Sequence, residues 1–211
     1  MRTNYSQAGF RFFDDRFAVF DKRIIADHKE DFRKYDEADS VLTYGYIDHE
    51  KGFIFQVLSL SKNNNGEIGI IENQPEESLL LTAETLSDEE ALIISDDEKY
   101  RQAFHKQLRE NAAGHAADKK LNETRQMSII DDLRDPFHID DLEVYLFKKK
   151  SEPEICFVRI EGCDDRHLYG RLLSEPDQEL GVHLDEKISF TLKRMNDDTW
   201  MAICDLDQNR K

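Results

Sequence analysis

The sequence predicts an α+β protein in two modules joined by a helical connector, and three observations carry that expectation. Five strand-like runs follow one another between Asp141 and Asp207, each bounded by turn residues. Earlier in the chain, Val41–Ile47 and Phe53–Leu60 flank the turn sequence DHEKG, the pattern of a β-hairpin. Between these regions Tyr100, Phe104 and Leu108 recur at helical spacing in a polar stretch. The expected modules are 1–95, a mainly antiparallel sheet with helices; 96–137, a long connecting helix; and 138–211, a small five-stranded antiparallel β-barrel.

A strand with one buried face places apolar residues at every second position. In the last module Ile188, Phe190 and Leu192 alternate with Lys187, Ser189, Thr191 and Lys193. Leu142, Val144 and Leu146 form a similar face, while Tyr145 and Phe147 suggest cover on the other. Ile155–Ile160 is apolar on both faces and reads as a central strand. Glu152-Pro153, Gly162–Asp165 and Asn196-Asp197-Asp198 supply turns. The connection from Ser174 to Glu186 exceeds the usual hairpin loop of roughly two to five residues, and long loops on compact sheets often carry function.

The residues of this region, HLYGRLLSEPDQELGVHLDEKISF, resemble a bacterial domain of unknown function. In that family a Tyr-Gly-x-Leu-Leu strand leads through Glu-Pro-Asp and Gly-Val-His segments into an Ile-x-Phe strand. The resemblance covers the last third of the chain and reaches weakly back to DPFHIDDLEVYLF. It implies a small β-rich fold and brings no catalytic residue with it.

In the first module Phe10, Phe12, Phe13, Phe17, Val19 and Phe20 make a dense aromatic start. Their spacing fits two short strands across a turn, or a helical face through Phe13, Phe17 and Phe20. Core packing is expected for them ahead of a partner-binding stripe. Ile24–Asp36 reads as a short amphipathic helix. Asn63–Gly66 is a turn, Ile68–Ile71 a strand, Pro75 a break, and Ser78–Ala83 and Ala91–Ile94 are further extended runs. Ser95-Asp96-Asp97-Glu98 starts a helix, with acids favourable at the positive end of its dipole. Gly114 weakens that helix, Leu121–Leu133 resumes it, and Asp135-Pro136 ends it.

The 211 residues carry a net charge of −16, with 39% hydrophobic and 35% charged residues, 13 Phe and 7 Tyr. From Asp141 onward 16 acids stand against 11 basic residues, so the first 140 residues hold most of the surplus. Such a balance repels polyanions and argues against nucleic-acid binding. It reads first as simple solvation of a bacterial cytosolic protein, and after that suits a basic protein partner or mimicry of nucleic acid. The cysteines Cys156, Cys163 and Cys204 form no Cys-x-x-Cys pair, which speaks for a reducing compartment. No apolar run reaches membrane-spanning length and no leader pattern is present, so a cytoplasmic protein without membrane contact is expected.

No nucleophile elbow, phosphate loop or His-Glu-x-x-His occurs. No cofactor, metal or catalytic residue is assigned. Asp131, Asp132, Asp135, Asp140 and Asp141 with His138 lack the spacing of a calcium loop and read as caps and solvated linker, with Ser128 and Asp131 resembling a capping box. The candidate binding residues are Tyr169, Arg171, His167, His183, Glu175 and Asp177, grouped around the long loop. Tyr and Arg suit a contact patch, which Trp200 could join if it were not in the core. The histidines with the loop acids, which include Glu179 and Glu186, would suit an acid–base pair. The leading expectation is a protein-interaction module, of inhibitor or immunity type. A small-ligand enzyme or hydrolase using the 174–186 loop, and a nucleic-acid mimic, are the alternatives.

Overall fold

The computed structural model describes residues 1–64, 67–73, 78–114 and 117–208, without the side chains of 112 and 113. The chain divides into two compact units, Met1–Ala116 and Ala117–Lys211. The stretch expected as a connector from 96 to 137 is therefore shared between them.

The first unit runs β1 (Arg2–Thr3), α1 (Tyr5–Ala8), α2 (Phe10–Phe13), β2 (Arg16–Asp21), β3 (Ser40–Asp48), β4 (Gly52–Asn64), β5 (Glu67–Asn73), β6 (Leu80–Thr82), β7 (Ala91–Ile93), α3 (Glu98–Ala103) and α4 (His105–Gly114). Its sheet has the order β1-β7-β2-β3-β4-β5, with β6 also on β4, and every pair is antiparallel. The DHEKG hairpin forms as expected. The Asp48 carboxylate accepts the Glu50 and Lys51 amides at 2.9 and 2.8 Å, and Gly52 takes φ 81°.

The aromatic start divides between its two readings: Phe10–Phe13 is a helical turn and Arg16–Asp21 a strand. Its rings are core. Phe13 and Phe20 pack on Phe55 at centroid distances of 5.3 and 5.1 Å, and Tyr5 packs on Phe53 at 5.2 Å. The other face of the sheet buries Phe17, Val19, Leu42 and Ile68 against Tyr100 and Phe104, as the helical spacing requires.

Two local expectations change. Ile24–Asp36 is a 3-10 stretch over Lys22–Asp31, broken at Ile25, and a 3-10 turn over Tyr35–Glu37. Ile25 is the only buried side chain in the first of these, too little apolar contact to hold a regular α-helix. The connecting helix is three short ones, because Phe104 leaves helical geometry (φ −109°, ψ 17°) and ends α3. Asn65-Gly66 and Pro75 lie outside the described residues.

The second unit runs α5 (Lys119–Arg125), a 3-10 turn (Ser128–Leu133), β8 (Asp141–Phe147), β9 (Glu154–Cys163), β10 (Leu168–Leu172), β11 (Lys187–Arg194) and β12 (Trp200–Asp205). The strands close a barrel in the order β10-β11-β12-β8-β9. Four pairs are antiparallel and the fifth, β12 with β8, is parallel. Leu142, Val144, Val158, Ile160, Phe190 and Cys204 fill the interior, and Leu121 and Ile130 from the preceding helical segments join them. Among the described residues no helix is long and apolar enough to cross a membrane.

The barrel wall is tightest at Gly170, where a Cβ would lie 2.1 Å from the Arg159 carbonyl oxygen. Gly170→Ala is expected to lower stability in urea unfolding by about 3 kcal/mol, since backbone has to move to admit the methyl group. Ser59 offers a contrast: its hydroxyl is buried with no hydrogen-bond partner among the described residues. Ser59→Ala should change stability by no more than about 0.5 kcal/mol, or raise it.

Candidate interaction surface

The long connection between β10 and β11 is built as a plug. Leu180 and Val182 are buried in the barrel core, and Pro176 is buried beside them in sequence. Carboxylates hold the loop backbone. Glu154 accepts the Asp177 amide at 2.6 Å and the Gln178 amide at 3.2 Å. Glu186 accepts the His183 amide at 3.0 Å. Glu175 accepts the Leu184 amide at 2.8 Å and faces His183 Nδ1 at 2.6 Å. The length of the loop is thus accounted for by sealing the barrel, with Glu175 and His183 as its clasp and Asp177 contributing its amide.

His167 does not join them. It sits in the β9–β10 turn, where Asp164 accepts the Arg166 and His167 amides at 2.8 Å each. The five residues of β10, about 16 Å of extended chain, separate it from the loop. The expected grouping of His167 with His183 fails because the two flank one strand at opposite ends.

Tyr169 and Arg171 do come together. They point outward from β10 while Leu168, Gly170 and Leu172 point in. A β-bulge beside them pairs Tyr169 with Gly162 and Gly170 with Ile160, leaving Glu161 as the extra residue. Its carboxylate meets Arg171 Nε at 2.6 Å and Lys187 Nζ at 2.7 Å. Lys187, then Arg171, holds the Glu161 carboxyl below its ordinary range. Lys187 also lies over the Tyr169 ring, 4.3 Å from its centroid. Gly162 makes room, since a Cβ there would be 2.7 Å from Tyr169 Oη. Trp200 is half-buried and pairs with Arg194, away from Tyr169, which pairs with Ser189.

Among the described residues no three His, Cys, Asp or Glu side chains are placed to hold an ion. In the acid-rich run that leads into β8, arginines take three acids. Asp140 and Arg125 pair through two bonds of 2.6 and 3.0 Å, as do Asp141 and Arg159 at 2.7 and 2.8 Å. Asp131 meets Arg134 at 3.3 Å, and Asp135 accepts the Phe137 and His138 amides. Met127, not Ser128, occupies the cap position of the 3-10 turn, so the capping box does not form. The three cysteines are buried and unbridged, and burial raises the Cys156 and Cys163 thiols.

The outer wall of β9, β8 and β12 is the surface that alternation alone did not disclose. Ile155, Tyr145 and Ile203 stand in register across the three strands. Phe157 extends the row along β9, Phe147 along β8 and Met201 along β12. Ile155 is 50% exposed and Phe157 37%. Two acids border this wall: Glu143, level with Phe157, and Asp205, level with Phe147. The Asp205 carboxylate accepts the Asp207 amide at 3.1 Å and Gln208 Nε2 at 2.6 Å. The signal was present in the second apolar face of Ile155–Ile160, read as the mark of a central strand.

An open cleft of about 780 Å³ lies in the first unit between β5, β7 and α3, and none of the residues singled out as site candidates lines it. No family model, curated protein or solved structure matches the chain.

The clasp fixes a pH response. Glu175 raises the His183 pKa above 6.5 by hydrogen bond and charge, and His183 lowers that of Glu175. A raised histidine stabilises the fold fully below its unfolded pKa, and the contribution is lost as pH rises through the folded value. A histidine NMR titration should place the His183 midpoint above the ordinary histidine value, and Glu175→Gln should lower it, with the Glu186 and Glu179 charges still acting to raise it.

Proposed function

We propose that this protein acts by binding a basic protein partner, in the manner of an inhibitor or immunity protein, and does not turn over a substrate. The observation that carries this reading is the half-exposed pair Ile155 and Phe157, continuous with Tyr145 and Ile203 and edged by Glu143 and Asp205. Apolar side chains that alternation leaves outside the filled barrel face water in one group, which supports an interaction surface. The net charge of −16 supplies long-range attraction for a cationic partner.

The enzymatic alternative needs His167, His183 and the loop acids around one reacting centre. His167 stands apart, and Glu154, Glu175 and Glu186 are engaged by loop amides. Nucleic-acid mimicry needs carboxylates clear of cations along one face. Asp15, Asp131, Asp140, Asp141 and Glu161 each have an arginine against them.

Immobilised protein should retain a discrete basic protein from its native extract at low ionic strength, and lose it as salt shortens the Debye length below about 8 Å. Phe157→Asp should lower that retention at least about tenfold while circular dichroism stays unchanged. Failure to retain any basic protein at low salt overturns the proposal.

A further inference from the structure

Resting on that reading, the geometry of the wall points to the element the partner presents: we infer that an amphipathic helix carrying lysine or arginine beside its apolar stripe lies across β9, β8 and β12. The first argument is closure. A barrel has no free strand edge, so a partner cannot extend the sheet by backbone pairing and has to dock on side chains.

The second argument is size. Strands lie about 4.8 Å apart, so the row Ile155–Tyr145–Ile203 spans about 10 Å. Two turns of helix rise about 11 Å and present apolar residues at i, i+3, i+4 and i+7 over that length. Phe157 and Met201, each two residues along its strand, widen the wall by about 7 Å on the Glu143 side of the row, and Phe147 does so on the other, enough to accept such a stripe.

The third argument is charge. Glu143 borders the apolar group on β8, beside Phe157 on the neighbouring strand, with Tyr145 two residues on and Asp141, which Arg159 engages, two residues back. Covered by an apolar face, its carboxylate would lose water without gaining a partner, which is strongly unfavourable. A cation on the helix removes that difficulty. A second copy of this chain does not, because it brings a second Glu143 and Asp205 to the same contact.

The test uses the full chain and two synthetic 18-residue peptides of equal hydrophobic pattern, one with leucine and lysine, the other with leucine and glutamate. Fluorescence anisotropy should show the leucine–lysine peptide binding and circular dichroism should show it becoming helical on the protein, with no binding by the leucine–glutamate peptide. Phe157→Asp and the milder Ile155→Ser should each weaken binding about tenfold or more, and Glu143→Gln about fivefold. Glu30→Gln, an exposed acid of the first unit, should leave it unchanged.

Equal binding by both peptides would leave charge no part and overturns the cationic-helix inference; binding unaffected at Phe157, Ile155 and Glu143 overturns it as charge attraction away from the wall. The broader reading then stands or falls separately. Loss of the captured natural partner on Phe157→Asp would keep the wall as the interface with a different partner element. Retention of that partner would remove the wall altogether.

Discussion

Five strands joined in an unbroken meander finish pointing the way they began. The second unit closes its barrel under that constraint, so the last strand can meet the first only in parallel, and β12 does so against β8 at Ile203, Cys204 and Asp205. Parallel pairing is slightly weaker per residue than antiparallel. The closure nevertheless leaves no exposed edge and turns alternate residues of every strand either into the core or onto an outer wall. The bulge at Glu161 and the close approach at Gly170 are where the sheet bends to make this possible. The same bend aims Glu161 at Arg171 and Lys187, so the contents of one wall follow from the need to curve.

The entry to the barrel is held by charge. Arg125, Arg134 and Asp140 are nearly fully buried, and an ion removed from water is unfavourable by several kcal/mol unless its partners are well placed. Here the geometry is favourable: Arg125 meets Asp140 through two parallel bonds, and Arg134 donates to the carbonyls of Thr124 and Ile139. These contacts tie the end of α5 to the start of β8. Three acids of this acid-rich run, Asp131, Asp140 and Asp141, are taken by arginines that lie 3 to 18 residues away in the chain.

The strands were legible because each reports its own period and ends in its own turn. Ile188, Phe190 and Leu192 face inward as their alternation requires, and Asp48 with Gly52 makes the hairpin turn that DHEKG announces. Pairings between distant residues were not legible. Nothing local says that Asp140 will meet Arg125, or that His167 and His183 will flank a strand at opposite ends. Alternation gave the two faces of Ile155–Ile160 and not which of them faced solvent. That depended on the whole barrel, whose inner volume Cys156, Val158 and Ile160 already fill. Tyr169 and Arg171 were found together because they lie two apart on one strand; Lys187 and Glu161 needed the register.

An exposed apolar wall is ordinarily a liability, since it invites copies of the same chain to associate. The charge of this protein bears directly on that hazard. Two copies meeting wall to wall would bring Glu143 and Asp205 of each against those of the other, within a molecule already at −16. The repulsion acts at the distances where apolar contact would begin, because the Debye length at physiological salt is about 8 Å. A cationic partner meets the opposite field and gains from the same carboxylates. On the proposed reading, one set of acids would discriminate against self-association and for a basic ligand, and added salt would move the two in opposite directions. That division of labour would account for a surface that is at once strongly acidic and locally apolar.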